Sequence, residues 1–324
     1  MQGKVLPERS AATRAYAGID VCKRWLDVHI HPIGRSLRVA NDPVGLKRLK
    51  RELALHDVAL AVLEATGKHH RLAHRHLHAA GMAVAVLNPL RSRLFAEAKG
   101  VLAKTDAIDA RLLAVMAEAL VPAAKPPLPG VVEELQEIVR ARAAAVEDRT
   151  ALLNQRADAR VPLLRAELGR RIAALERSIA RLESAIEAII AGDAVLARRL
   201  QILLSIPGIG PVAATGLLAG LAEELGACSG KQIAMLSGLA PVASDSAQRS
   251  GQRHIRGGRS HVRTAIYFAA LSAARCNPGL RCVYQRLVAA GKRPKVALVA
   301  IMRKLVVLAN TLVRQDRLWQ PDPA

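Results

Sequence analysis

A chain of 324 residues that is 51% hydrophobic can bury two or three cores, and extended disorder is excluded for most of it. Its 48 Lys and Arg against 27 Asp and Glu give a formal charge of +21, far from what a small-metabolite enzyme needs and suited to a polyanionic partner. A membrane surface is the weaker candidate, since the most apolar stretches, such as Ala265–Ala274, are short and bounded by Arg, and the first fifteen residues carry Lys4, Glu8, Arg9 and Arg14 without an apolar core.

Residues 15–122 alternate short β-like runs with amphipathic helical ones, an α/β pattern. Ala15–Asp20 and Trp25–His31 read as strands joined by a tight polar turn, with Ser36–Asn41 as a third. Asn41–Asp42–Pro43 starts a helix whose inner face is expected to carry Val44, Leu46, Leu49 and Leu53. Val58–Glu64 is a buried strand, Lys68–Ala80 a helix ended by Gly81, Met82–Leu87 a further strand, and Thr105–Leu120 a strong helix. Pro122, Pro126, Pro127 and Pro129 then break helicity and mark a linker.

Residues 131–200 are rich in Ala, Leu, Glu and Arg, with Ile172, Leu175, Ile179, Leu182, Ile186 and Ile189 at helical spacing. A coiled coil or long helical hairpin is expected, broken near Val161–Pro162, acting as a spacer or as a dimerisation arm. The last portion, residues 201–316, reads as mainly α, with an apolar helix to about Leu221, helices around His261–Ala274 and Lys295–Arg314, and a Gly-, Ser- and Arg-rich loop or short hairpin over Gly238–Arg259. Cys22, Cys228, Cys276 and Cys282 match neither a zinc ribbon nor a redox pair, so they are expected to be reduced and mostly packed. With aromatics at only 2%, base stacking is a poor route to binding, and Arg and Lys contacts to the phosphates of double-stranded DNA fit better.

Four acids demand an explanation in so basic a chain. Asp20 and Glu64 end two apolar strands, and Asp106 and Asp109 stand three apart at a helix start, so all four can converge at one sheet edge. Each alone could be a solvated cap or turn residue. Together they could hold divalent ions that activate a nucleophile and stabilise the leaving oxygen of a phosphodiester, and such hard oxygen ligands select Mg2+ or Mn2+. His69, His70, His74, His76 and His78 could suggest zinc, but no Glu lies among them and Arg71 and Arg75 share the helix, which favours a solvated basic helix.

The blocks Gly18–Ile19–Asp20–Val21–Cys22–Lys23, Leu63–Glu64–Ala65–Thr66–Gly67 and Lys104–Thr105–Asp106–Ala107–Ile108–Asp109–Ala110 closely resemble a series found in the DEDD insertion-sequence transposases, also called bridge-RNA-guided recombinases. Cys22 stands where Ser is usual. The resemblance implies a RuvC-like, ribonuclease-H-related domain that binds metal through these four acids.

A second stretch extends the likeness: Leu239–Ala240–Pro241–Val242–Ala243–Ser244–Asp245–Ser246–Ala247, then Gly251 to Arg259 with its Gly257–Gly258–Arg259 element. From composition alone, a serine here is a phosphate contact. The family's nucleophile lies between the Gly-Leu-x-Pro and Gly-Gly-Arg elements, which selects Ser246; Ala247 replaces the usual Gly, leaving Ser250 as runner-up and Ser244 third. A serine can attack phosphorus only where cations offset the developing charge, a task for Arg249, Arg253, Arg256, Arg259 and Arg263. Ser205–Pro211 matches the turn of a helix-hairpin-helix, whose Pro207, Gly208 and Gly210 would bring backbone amides to phosphate oxygens; a plain helix-to-helix turn is the alternative.

The resemblance further implies a covalent phosphoserine intermediate, site assembly between protomers in a homo-oligomer from dimer to tetramer, and a structured guide RNA that selects DNA by pairing. Cytoplasmic localisation is expected. The rival readings are a metal-dependent junction resolvase or nuclease with water as nucleophile, and a non-catalytic nucleic-acid-binding relative.

Overall fold

Alternating apolar residues build three adjacent strands, β1 (Ala15–Val21), β2 (Trp25–His31) and β3 (Arg35–Ala40). The computed structural model describes residues 14–65, 67–101, 103, 105–243, 251 and 253–321, in two compact units that divide between Pro127 and Leu128. The first unit continues with α1 (Pro43–Leu55), β4 (Val58–Glu64), α2 (His70–Ala79), β5 (Val84–Leu87), α3 (Pro89–Ala98) and α4 (Asp106–Leu120). Its five strands form a mixed sheet in the order β3-β2-β1-β4-β5, with β1 antiparallel to β2, β2 antiparallel to β3, and the β1–β4 and β4–β5 pairs parallel.

Strand periodicity sorts side chains onto two faces. Leu26, Val28, Ile30, Ala61 and Leu63 pack with Leu46, Leu49 and Leu53 of α1 and Ala73 and Leu77 of α2. Leu60, Val62, Ala85 and Leu87 face the other way and meet Leu113, Met116 and Ala117 of α4. The start of α1 is as expected, with Asp42 accepting a hydrogen bond from Gly45, but Val44 is 77% exposed rather than part of the inner face. The reason is angular: Leu46, Leu49 and Leu53 already complete the buried stripe. The sequence reading also ran β5 two residues early and passed over α3, which Asn88 caps through its side chain and Pro89 begins.

The second unit is almost wholly helical: α5 (Gly130–Asp158), α6 (Pro162–Ala191), α7 (Ala194–Leu204), α8 (Pro211–Gly220), α9 (Gly230–Leu236), a two-stranded β6 (Pro241–Val242) and β7 (His254–Ile255), then α10 (Ser260–Cys276), α11 (Pro278–Ala289) and α12 (Pro294–Arg314). The break at Val161–Pro162 turns α5 back along α6, so the expected spacer is a helical hairpin, with Leu152, Leu168 and Ile172 as its own small core. Its other end is part of the main core, where Leu135, Ile186 and Ile190 pack with α8, α10 and α12, and the expected boundary at residue 200 falls inside α7.

α12 starts one residue before the expected Lys295 and ends at the expected Arg314, but it is a longer apolar span than the short stretches expected; by length and mean hydropathy of 2.0 it could cross a bilayer. Here it is the central strut of the second unit, burying Leu298, Ile301, Leu305, Val306 and Leu312, with the fully buried Asn310 bridging Gly226 N and the Cys228 carbonyl. Of the four thiols, Cys22, Cys276 and Cys282 are exposed rather than packed, because each lies at a strand end or on an outward helix face.

Strand β1 and helix α4 meet backbone to backbone. A Cβ on Gly18 would lie 2.1 Å from the Ala110 carbonyl oxygen and 2.3 Å from Ala114 N, so only glycine lets the helix backbone rest on the strand. Gly18→Ala is expected to push α4 off the sheet and destabilise the first unit by about 1–3 kcal/mol. Chemical denaturation with α4-localised amide exchange would show it; a variant as stable as the parent would refute the contact.

Candidate functional site

Strand parity carries Asp20 onto the α4 side of the sheet, two residues beyond Gly18 on β1, and Glu64 onto the same side, two beyond Val62 on β4. The helix supplies the other two acids: Thr105 caps α4 by accepting from Ile108 N, and Asp106 and Asp109 occupy its first turn. The positive end of the helix dipole favours anionic groups at that place.

The electrostatics report the convergence. The Asp20 carboxyl is pushed up to about 6, first by burial and then by the charges of Asp109, Glu64 and Asp106, against a smaller downward pull from the Val21 backbone. The other three sequence-selected acids therefore all act on Asp20. The gathering is incomplete, however: among the described residues no three His, Cys, Asp or Glu side chains are close enough to hold a metal ion as they stand. Other groups restrain two of the acids. Ser92 on α3 donates its hydroxyl to Glu64 Oε2 at 2.5 Å, and Arg38 on β3 donates to Asp106 Oδ2 at 3.3 Å.

Arg38 also forks onto Asp27, with Nε and one terminal nitrogen 2.8 and 2.9 Å from the two carboxylate oxygens. Asp27 stands directly opposite Asp20 in the β1–β2 register. Sequence reasoning missed Asp27, Arg38 and Ser92. The parity of β2 could have flagged Asp27, since Leu26, Val28 and Ile30 take the opposite face; Ser92 gave no signal while α3 was unrecognised. A cavity of about 590 Å³ opens beside Glu64 and Asp109, walled by Ser92, Arg93 and Ala96 of α3 and by Leu112.

The histidine series is only partly the solvated face expected. His74 is buried, with Nε2 donating to the Lys125 carbonyl at 2.8 Å, and so ties α2 to the segment after α4. His70 is pushed down to about 4 by burial and by Arg71.

In the second unit, Ser244, Ser246, Arg249 and Ser250 lie outside the described residues. The two ends of that segment are on view, paired as β6 and β7 through Pro241↔Ile255 and Val242↔His254. The Gly-Leu-x-Pro and Gly-Gly-Arg elements meet below this pair: a Cβ on Gly258 would lie 2.1 Å from Gly238 N, and one on Gly238 would lie 2.2 Å from the Gly257 carbonyl oxygen. Arg259 grips the buried Glu224 at 2.8 and 2.5 Å and the Gly220 carbonyl, and Arg263 donates to the Gly257 carbonyl. These two arginines brace the base of the segment, while Arg253 and Arg256 are exposed.

At the α7–α8 turn, Gly208 backs onto α10, where a Cβ would lie 2.4 Å from Ala273 Cβ, and the Pro207 carbonyl is 3.5 Å from Asn277 Nδ2. Gly210, the N-cap of α8, has nothing within 4 Å of its Cβ position.

Comparison with known proteins agrees with both halves of this description. Residues 17–159 match the DEDD transposase model of IS110, and residues 200–285 match the transposase model of the IS116/IS110/IS902 family, together more than two-thirds of the chain. The class is transposase. The chain belongs to the IS110/IS116/IS902 family of insertion-sequence transposases. It is 26% identical to the pilin gene-inverting protein of Moraxella bovis, over 94% of this chain and 97% of that protein. It is also 33% identical to a 42 kDa protein of insertion element IS900 from Mycobacterium paratuberculosis, over 38% of this chain and 32% of the relative. Among solved structures, Thermus thermophilus RuvC in complex with a Holliday junction substrate aligns at 15% identity and a TM-score of 0.27, over 35% of this chain and 99% of RuvC.

The Asp20 shift has a consequence for stability. Because its folded pKa is raised from 3.8 to about 6, the group stabilises the fold below its unfolded pKa and loses that contribution as pH rises through about 6. Asp20→Asn is therefore expected to melt higher than the parent above pH 6 and to match it near pH 4, with the gain reduced by the partial exposure of the carboxyl. Thermal melts across that window check it; a difference that does not change with pH would contradict the coupling.

Proposed function

We propose that the protein is a DNA transposase or recombinase that cleaves and rejoins DNA at the ends of an insertion element and at its target, with Ser246 as nucleophile. The observation that carries this reading is the seating of α4 on β1, which sets Asp106 and Asp109 beside Asp20 and Glu64 in a chain of formal charge +21. The donor set fits a divalent cation: four hard carboxylates are offered on one side of the sheet, and Asp20, whose proton is held to about 6 first by burial and then by the other three charges, would give it up to Mg2+ or Mn2+. Asp20, Glu64, Asp106 and Asp109 would hold it after Arg38 and Ser92 let go of Asp106 and Glu64. Such an ion supplies charge stabilisation to a phosphodiester under attack. The sheet order, antiparallel over three strands and then parallel over two, supports a RuvC-like, ribonuclease-H-related reading of the first unit.

In the covalent step, Oγ of Ser246 bonds to phosphorus as its hydroxyl proton is lost to solvent, and a deoxyribose oxygen leaves with the electron pair of the broken P–O bond and takes up a proton from solvent, so no proton is gained or lost overall. Strand exchange reverses the step with a different deoxyribose hydroxyl, so the phosphodiester is conserved. Exposed Arg253 and Arg256 are placed by sequence to meet the phosphate, along with Arg249; Arg259 and Arg263 act by bracing the segment. The helix-hairpin-helix reading rests on Gly210 and the free N-terminus of α8, with Pro207 and Gly208 shaping the turn. Similarity to a pilin gene-inverting protein supports the recombinase reading. A structured guide RNA, a dimer-to-tetramer assembly and a cytoplasmic location complete the reading.

A hydrolytic alternative with water as nucleophile is favoured by one observation: the acids and their cavity lie wholly within the first unit. Ser246→Ala separates the two, since a serine recombinase loses its denaturant-stable protein–DNA adduct whereas a nuclease continues to cut. Asp106→Asn with Asp109→Asn is expected to lower strand cleavage about a hundredfold or more, several kcal/mol of barrier. Unchanged DNA handling by this double variant would instead indicate a non-catalytic binding protein. Mg2+ is expected to raise the melting temperature of the parent more than that of the double variant.

A further inference from the structure

A cavity of about 1760 Å³ lies in the second unit, larger than the roughly 300–1,000 Å³ of an ordinary small-molecule cleft. Its floor is apolar, from Val296, Val299, Val307 and Leu308 of α12. Its walls carry Lys231 of α9, Arg253 beside β7, and Arg293, Lys295, Arg303 and Lys304 at and along α12, with Arg317 beyond the helix. Among the described residues no acid lines it, although the chain as a whole carries more than one Asp or Glu for every two Lys or Arg. Among the described residues, none of the six wall cations on α9, β7 and α12 forms an ion pair.

Packing cations around one cleft without counter-charges costs mutual repulsion, which a polyanion removes on binding. One wall is Pro241, His254 and Ile255, from the two strands that flank the serine segment in sequence. An apolar floor suits the hydrophobic edges of deoxyribose, and cationic walls suit phosphates.

We infer that this groove is a binding track for DNA leading away from the strand on which the serine segment acts. The inference rests on the DNA reading above and adds α9, α11 and α12 to the surface, beside Arg253 of the Gly- and Arg-rich segment.

The test uses the full chain. Lys231→Gln, Lys295→Gln and Lys304→Gln are combined in one variant, all three being exposed lysines, and an equal charge is removed from α6 by Arg165→Gln, Arg177→Gln and Arg181→Gln as a control. Affinity for a fluorescent DNA duplex is measured against salt, in parallel with an RNA duplex of the same length. The groove variant is expected to lose roughly 0.9 of slope in log affinity against log salt for each DNA phosphate contact removed, with the control unchanged. A photo-crosslinking residue at Val296, 55% exposed, is expected to capture the DNA. An unchanged DNA slope, or a loss confined to RNA, overturns the inference. If the slope moves but no adduct forms on Ser246, the covalent reading fails and the groove stands; if the adduct forms and the slope does not move, only the groove assignment fails.

Discussion

The first unit is organised by a backbone-on-backbone contact, α4 lying across β1 at Gly18 with no side chain between them. Because the helix cannot shift outward without opening that contact, the position of its first turn is fixed relative to the strand end two residues further on. Everything at the acid cluster follows from this. Asp20 and Glu64 arrive by strand parity, Asp106 and Asp109 by helix phase, and the burial of Asp20 facing three other carboxylates is the cost of this frame. The helix dipole and the guanidinium of Arg38 offset part of that cost.

The second unit solves a different problem. Its scaffold is a helical core around α12, and an ion pair joins the buried Glu224, just beyond α8, to Arg259 at the start of α10. A buried carboxylate of this kind is strongly destabilising if its partner is removed, so Arg259 is retained by folding as well as by any contact with DNA. That dual demand complicates the assignment of binding roles from arginine content alone. Of the arginines grouped by sequence, two are committed to the protein's own carbonyl and carboxylate groups, whereas Arg253 and Arg256 are free to face solvent.

Much of this was legible from residue order. β2 and β4 fall where alternation places them, Asp42 and Thr105 cap the helices they were expected to start, and Pro162 turns the long helical segment. The convergence of four acids was legible because each sits at an element end on a definable face. What was not legible depends on partners distant in sequence. Arg38 reads as an ordinary strand-edge charge until β3 is laid beside β2 and reaches across to Asp106; Ser92 acquires a role only because α3 folds over the end of β4. Short helices such as α9 and α11, set by a capping box at Ser229 and an Asn277 cap, carry too few periodic residues to stand out. His74 was misread for the same reason, since its partner is a backbone carbonyl 51 residues away.

The glycine seam between Gly238 and Gly258 bears on how such proteins diverge. It holds the described flanks together, with Arg259 N bonded to the Leu236 carbonyl and Pro241 and Val242 paired with Ile255 and His254. A side chain at either glycine would drive the two flanks apart, so a substitution there is screened by folding before any effect on chemistry is felt. Drift in a lineage is thereby channelled away from the seam.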